Sequence, residues 1–207
     1  ELKLPAQSAQ LDEILLPLCE HVRSVHIDVS DATKTMVANL DQLLTMDTWS
    51  FKIRSLEIVG LGLEVLRFSL PLLIDLPLET FMVEAATMTL HSDCIQHISR
   101  LIKNKTLTKL SLRGWWISDS VDLQVFVRGL KHANPNFAFL QLISPQVVPP
   151  VDWTPLARVC VRHLHNLIHM ELRVPGVFDV QSTYCEQFLA STTLQVLHLP
   201  FRRAPDV

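Results

Sequence analysis

Apolar residues recur along this chain in one spacing. In Thr106 to Trp116, TLTKLSLRGWW, the apolar positions Leu107, Leu110 and Leu112 stand as L-x-x-L-x-L, with Thr108, Lys109 and Ser111 between them. The same spacing places Val22, Val25 and Ile27, then Ile53, Leu56 and Ile58, then Leu78, Phe81 and Val83 ahead of it. Phe137, Leu140 and Leu142, then Leu167, Met170 and Leu172, then Leu194, Leu197 and Leu199 follow it. The seven central residues, Val25, Leu56, Phe81, Leu110, Leu140, Met170 and Leu197, are separated by 31, 25, 29, 30, 30 and 27 positions. Alternation over the last residues of each copy predicts a short strand with one buried face. A fixed period of this length predicts a repeated unit.

Segments between the strands read as helices. Leu11 to Val22 leads into the first copy's strand and Asp31 to Met46 into the second, with Asp31 as an N-cap. Gly62 to Leu73 is shorter and is expected to be interrupted by Pro71. Ser92 to Lys103 opens on a Ser-Asp cap signal, and Ser118 to His132 opens on Ser-Asp-Ser and stops before Asn134-Pro135. Thr154-Pro155 opens a helix to His165, and Ser182 to Ala190 precedes the last strand. Pro145 to Pro155 reads as an extended insertion. A unit of strand, loop and helix suits a doubly wound sheet, a closed barrel or a solenoid. A doubly wound sheet buries both strand faces, and a closed barrel needs about 250 residues. The residue between the last two apolar positions of each copy is His26, Glu57, Met82, Ser111, Gln141, Glu171 or His198. Six of these seven are polar, so that face is expected to be wet and the solenoid is preferred.

These repeats resemble the leucine-rich repeat family in its longer strand-plus-helix form, similar to ribonuclease inhibitor and the recognition arrays of F-box proteins. The resemblance spans about Leu11 to Leu199. It implies an α/β leucine-rich-repeat solenoid of seven strand-loop-helix repeats, a parallel sheet on the concave face and helices on the convex face. The family's Asn or Cys three residues after the last strand leucine is replaced here by Ser30, Leu61, Ala86, Trp115, Pro145, Pro175 and Arg202, so the repeats are degenerate. Family members mostly bind proteins on the concave sheet. Carried over, that face has the polar row above at its centre. The row before is Ser24, Ser55, Thr80, Lys109, Phe139, His169 and Val196, and the row after is Asp28, Val59, Glu84, Arg113, Ile143, Arg173 and Pro200. The first and seventh strands would lie roughly 30 Å apart.

The expected contact residues are Glu57, Met82, Lys109, Ser111, Arg113, Phe139, Gln141, His169, Glu171 and Arg173. Trp115 and Trp116, just past the strand, are a candidate loop hot spot, since exposed Trp often anchors partners. The competing reading has one Trp packing between repeats in the family's Asn position. Cys94-x-x-His97 and Cys160-x-x-His163 fall on separate helices and read as core cysteine with surface histidine, not as zinc ligands. Ser24, His26 and Asp28 alternate on one strand too far apart for a catalytic relay. No phosphate-binding glycine loop or nucleophile elbow is present. No catalytic residue, cofactor or metal is therefore expected.

Composition narrows this further. The 207 residues are 48 % apolar and 19 % charged, which fits one folded domain over 1–207. A net charge of -3 gives no bulk attraction to nucleic acid, although residues 1–100 hold 14 acids and 7 bases and residues 101–207 hold 7 acids and 11 bases. Cys19, Cys94, Cys160 and Cys185 stand far apart in apolar contexts, fitting free thiols in a reducing compartment, cytoplasmic or nuclear. The lone sequon Asn104-Lys105-Thr106 does not argue for secretion. Leu61 to Leu78 is too interrupted by charge and proline to span a membrane. The chain opens at Glu1 and is expected to be a piece of a longer protein, with further repeats or a cap after Val207.

The function expected is a non-enzymatic protein-protein interaction module. One specific form is the substrate-recognition arm of an F-box-type ubiquitin ligase. Another is the sensor array of an innate-immune receptor or a pathogen effector. The rival class, an enzyme on an α/β scaffold, needs convergent titratable groups at the strand C-termini, where Val29, Gly60, Ala85, Gly114, Ser144, Val174 and Phe201 stand instead. A structural spacer without a ligand is the third reading.

Overall fold

The computed structural model describes residues 2–4, 23–28, 53–60, 63–117, 119–144, 151–173, 176–177, 186–187, 190 and 193–198. The expected helices at Leu11 to Val22 and Asp31 to Met46, most of Ser182 to Ala190 and the loop at 145–150 lie outside the described residues. The strands are β1 (Leu2–Leu4), β2 (Ser24–Asp28), β3 (Ser55–Val59), β4 (Thr80–Thr89), β5 (Lys109–Trp116), β6 (Phe139–Ile143), β7 (Val151–Asp152), β8 (His169–Arg173), β9 (Gly176–Val177) and β10 (Val196–His198). The helices are α1 (Leu63–Leu73), α2 (Ser92–Ile102), α3 (Ser120–Leu130) and α4 (Thr154–His163).

Eight strands form one sheet in the order β1-β2-β3-β4-β5-β6-β8-β10, every pair parallel. Each strand's neighbour is therefore the next one along the chain, apart from β7 and β9, which pair with each other to one side. The seven expected centres meet in register: Val25 opposite Leu56, Leu56 opposite Phe81, Phe81 opposite Leu110, and so on through Leu140 and Met170 to Leu197. The eighth strand, Leu2–Leu4, was not anticipated from the pattern; three residues carry too little alternation to be read.

One face of the sheet is apolar. The complete triplets Ile53/Leu56/Ile58, Leu78/Phe81/Val83, Leu107/Leu110/Leu112, Phe137/Leu140/Leu142 and Leu167/Met170/Leu172 are buried in a single core with side chains from all four helices. In α2 the buried residues Cys94, Ile95, Ile98, Leu101 and Ile102 follow the 3.6-residue period of a one-sided helix. In α3 they are Leu123, Phe126, Val127 and Leu130, with Gly129 set against α2. A Cβ on Gly129 would stand 2.6 Å from Ser99 Oγ, and Ser99 itself donates to the Val125 carbonyl at 3.1 Å. The glycine is thus the point of closest helix approach.

Helix ends follow local chemistry, with small departures from expectation. Asp119, the middle residue of the Ser-Asp-Ser signal, caps α3, its side chain accepting the Asp122 N–H at 2.7 Å. Ahead of α4, Asp152 Oδ1 accepts the Thr154 N–H at 2.9 Å, and Pro155 occupies the first turn. The expected Ser92 cap lies inside α2; its hydroxyl donates to Asp122 Oδ2 of α3 at 3.1 Å. Pro71 does not end α1, which continues to Leu73. It is exposed near the helix end, where loss of one backbone bond is tolerated.

A second regularity fixes the entry of each strand. The carbonyls of Arg23, Arg54, Glu79, Thr108, Ala138 and Ile168 each accept two successive N–H groups from the following unit. Turns between helix and strand are tied by asparagine. Asn104 Nδ2 donates to the Leu76 carbonyl at 2.7 Å and to Ile74 at 3.3 Å. Asn134 donates to the Lys105 carbonyl, and Asn166 to Pro135 at 2.9 Å. These asparagines precede the strand, whereas the family pattern would have put them after it.

Candidate functional site

The face away from the helices carries the polar positions. Strand register aligns them into three rows: Ser24-Ser55-Thr80-Lys109-Phe139-His169-Val196, then His26-Glu57-Met82-Ser111-Gln141-Glu171-His198, then Asp28-Val59-Glu84-Arg113-Ile143-Arg173. Neighbours within a row are about 4.8 Å apart, so polar side chains on adjacent strands reach one another.

They do so along the middle row. His26 Nδ1 lies 2.9 Å from Glu57 Oε2. Ser111 Oγ donates to Gln141 Oε1 at 2.5 Å, and Gln141 Nε2 donates to Glu171 Oε2 at 2.5 Å. Two arginines reach in from the next row. Arg113 Nε donates to Gln141 Oε1 at 3.1 Å and its Nη1 to Glu84 Oε2 at 3.4 Å; Arg173 Nε stands 2.5 Å from Glu171 Oε1. On the other flank Phe139 and His169 stack, ring centroids 4.2 Å apart and 13° from parallel.

The pairing corrects one expectation. Ser111, Gln141 and Glu171 were expected on a wet surface, yet they are only 1 %, 5 % and 5 % exposed. Each satisfies its neighbour and is roofed by the flanking rows, so none of the three is itself offered to a partner. Glu57, Met82, Phe139 and His169 are half-buried, Arg113 is partly exposed, and Lys109 and Arg173 are exposed. Trp115 is corrected as well. It is 2 % exposed and part of the core, so it is no loop hot spot. Nor do Trp115 and Trp116 lie past the strand, as expected: β5 runs through to Trp116, whose side chain lies outside the described residues.

The cause is a local irregularity. Pairing of β4 with β5 jumps from Glu84–Arg113 to Met88–Trp115, so β4 carries extra residues there. Gly114 has φ +79, and a Cβ on it would stand 1.9 Å from the Ala85 carbonyl oxygen. Only glycine allows this crossing.

Beside it lies an open depression of about 530 Å³ lined by Glu84, Ala85, Arg113, Gly114, Gln141, Ile143, Glu171 and Arg173. It sits toward the C-terminal ends of the strands. Three of the titratable groups there, Glu84, Arg113 and Arg173, come from the row just before the positions considered for an enzyme, and Glu171 from the middle row, which is why the sequence reading passed over the depression. Glu84, Ala85, Gly114 and Ile143 are its members outside the expected contact residues; the pairing of Gly114 with a neighbouring small residue was the available signal.

Burial works against ionisation of Glu171. The Gln141 hydrogen bond and the charges of Arg173, His198 and His169 outweigh it and hold the carboxyl below its ordinary value. Its oxygens lie 3.5 Å from His198 Nδ1 and 3.7 Å from His169 Nε2. A carboxylate so held is a weak base and a fixed negative anchor, unlike a general base tuned toward neutrality. Cys94 and Cys160 are buried free thiols, pushed up to about 11 and about 12 chiefly by burial. Among the described residues no group of three His, Cys, Asp or Glu side chains is placed to hold a metal ion, and no helix is long and apolar enough to cross a membrane. No family model matches the chain, and no curated protein matches it.

Proposed function

We propose that the chain is a leucine-rich-repeat-type solenoid that binds another protein on the open face of its sheet and performs no catalysis. The observation that carries this reading is the unbroken register of three side-chain rows across β2 to β8. A flat array of this kind, roughly 30 Å across, offers a protein-sized footprint. From Ser111 to Glu171 the middle row is closed by its own hydrogen bonds, so contact there falls to the flanking rows: Lys109, Phe139 and His169 on one side, Glu84, Arg113 and Arg173 on the other. Rotamers already held by neighbours lose little freedom when a partner arrives. A substrate arm of an F-box-type ubiquitin ligase and an immune sensor or effector array would both use this same face.

Photo-crosslinking residues placed at Lys109 or Phe139, with Gln124 and Arg128 on the exposed side of α3 as controls, test the assignment. A discrete protein adduct from positions 109 and 139 and none from 124 and 128 is expected. Adducts from the helix side alone, or equally from both sides, would overturn it.

A further inference from the structure

We propose that the depression at the strand C-termini receives an acidic segment of the protein partner, two carboxylates of that segment docking on Arg113 and Arg173; this rests on the open-face reading above. The two arginines share one row, on β5 and β8, with only β6 and its half-buried Ile143 between them. Each is held from behind. Arg113 spends Nε on Gln141 and Nη1 on Glu84, and Arg173 spends Nε on Glu171. Arg113 Nη2 and both Nη groups of Arg173 have no partner among the described residues, on side chains that are 43 % and 63 % exposed. A guanidinium fixed at one edge and open at the other is prepared for a carboxylate, and the fork geometry rewards planar oxyanions over other ligands.

The charges of the lining balance, Glu84 and Glu171 against Arg113 and Arg173, so it is the open guanidinium edges that select the occupant. Glu171 is nearly buried, with one oxygen taken by Gln141 and the other by Arg173, so it offers little repulsion at the surface. Spacing selects a chain over a single anion. Strands two apart are separated by about 10 Å, and Arg113 narrows the gap by leaning to Gln141 on β6. Alternate residues of an extended peptide are about 7 Å apart and point the same way, so acids at alternate positions meet both arginines at once.

The test is fluorescence-polarisation titration of the full chain with a labelled extended peptide carrying glutamates at two alternate positions. The same peptide with glutamines there, a single-glutamate peptide and inorganic phosphate serve as comparisons. The expected result is saturable binding of the two-glutamate peptide that weakens with added salt. Arg113→Gln or Arg173→Gln should lower affinity about tenfold, Arg173→Lys should lower it less, and Arg128→Gln on α3 should leave it unchanged. Melting curves identify any variant that fails to fold, in which case the lysine variant decides. Equal binding of the glutamine peptide, undiminished binding by folded Arg→Gln variants, or phosphate competing as strongly as the peptide would each overturn the inference. Loss of peptide binding alongside intact crosslinking from positions 109 and 139 would remove this inference and leave the open-face function standing.

Discussion

Gln141 and Glu171 are joined side chain to side chain at 2.5 Å across two strands, although 30 residues separate them in the chain. The amide also accepts from Ser111 and Arg113, and the carboxylate holds Arg173. A polar row on an open sheet thereby becomes an internal network. Removing one member leaves others unsatisfied. Glu171→Ala is expected to destabilise the fold by about 1–3 kcal/mol, read from the urea midpoint, with Gln141→Leu in the same range. A shift below the resolution of the titration would mean the network is replaced by water at no cost.

Acid should loosen this network. Glu171 and Asp93 both have folded pKa values below their ordinary ones. For Glu171, burial opposes ionisation but Gln141, Arg173 and the two histidines outweigh it; for Asp93, burial is outweighed by the Cys94 N–H and Arg67. A lowered folded value means that the unfolded chain binds more protons. The stabilisation is therefore complete above the unfolded pKa and is lost as pH falls through the folded one. The urea midpoint should drop below about pH 4, and Glu171→Gln should show a shallower drop. Parallel curves for parent and variant would exclude Glu171 as a contributor.

Gly114→Ala tests the irregularity between β4 and β5. The added methyl would meet the Ala85 carbonyl at 1.9 Å with the backbone at φ +79. Backbone strain alone is worth about 1–3 kcal/mol, and the clash adds to it. The melting temperature should fall, with the largest loss of amide protection along β4 and β5 in hydrogen exchange. Unchanged protection there would show that the two strands can separate freely at this point.

Asn104 is expected to matter as structure. Its Nδ2 is committed to the Ile74 and Leu76 carbonyls, and its Oδ1 accepts from the Thr106 N–H and hydroxyl. Asn104→Ala should lower stability by about 1–3 kcal/mol, and Asn104→Asp should not restore it, because the carbonyls need a donor. Full stability in the aspartate variant would show that the turn is held by other means.

The two buried thiols should be slow to react. Cys94 and Cys160, pushed up to about 11 and about 12 chiefly by burial, carry almost no thiolate at neutral pH. Peptide mapping after iodoacetamide treatment should find both unmodified in the native chain and modified in urea. Rapid native labelling of either would place it on a locally opening segment.

Strand positions and register were legible because they rest on apolar spacing alone. Leu107, Leu110 and Leu112 face the core for the same reason as their counterparts at each repeat. Burial of Ser111, Gln141 and Glu171 was not legible in the same way. It depends on which side chain stands about 30 residues away, and a polar letter in one strand looks the same whether its neighbour is glutamine or water. Trp115 was placed just past the strand, because the apolar spacing ends at Leu112; its burial agrees with the competing reading of a Trp packed inward, and Gly114 is what lets β5 cross Ala85 and carry the indole there. The asparagine ties were missed because they precede the strands, in turns where asparagine is common for local reasons.

The chain-ordered register also bears on how the molecule forms. Cross-strand partners on the open face lie about 30 residues apart wherever along the sheet they are taken. The entropy of closing such a loop is the same at each step and does not accumulate with chain length. Contact order within the described sheet is thus set by the unit and not by the size of the protein, so assembly can spread outward from any pair of neighbouring strands, one unit at a time.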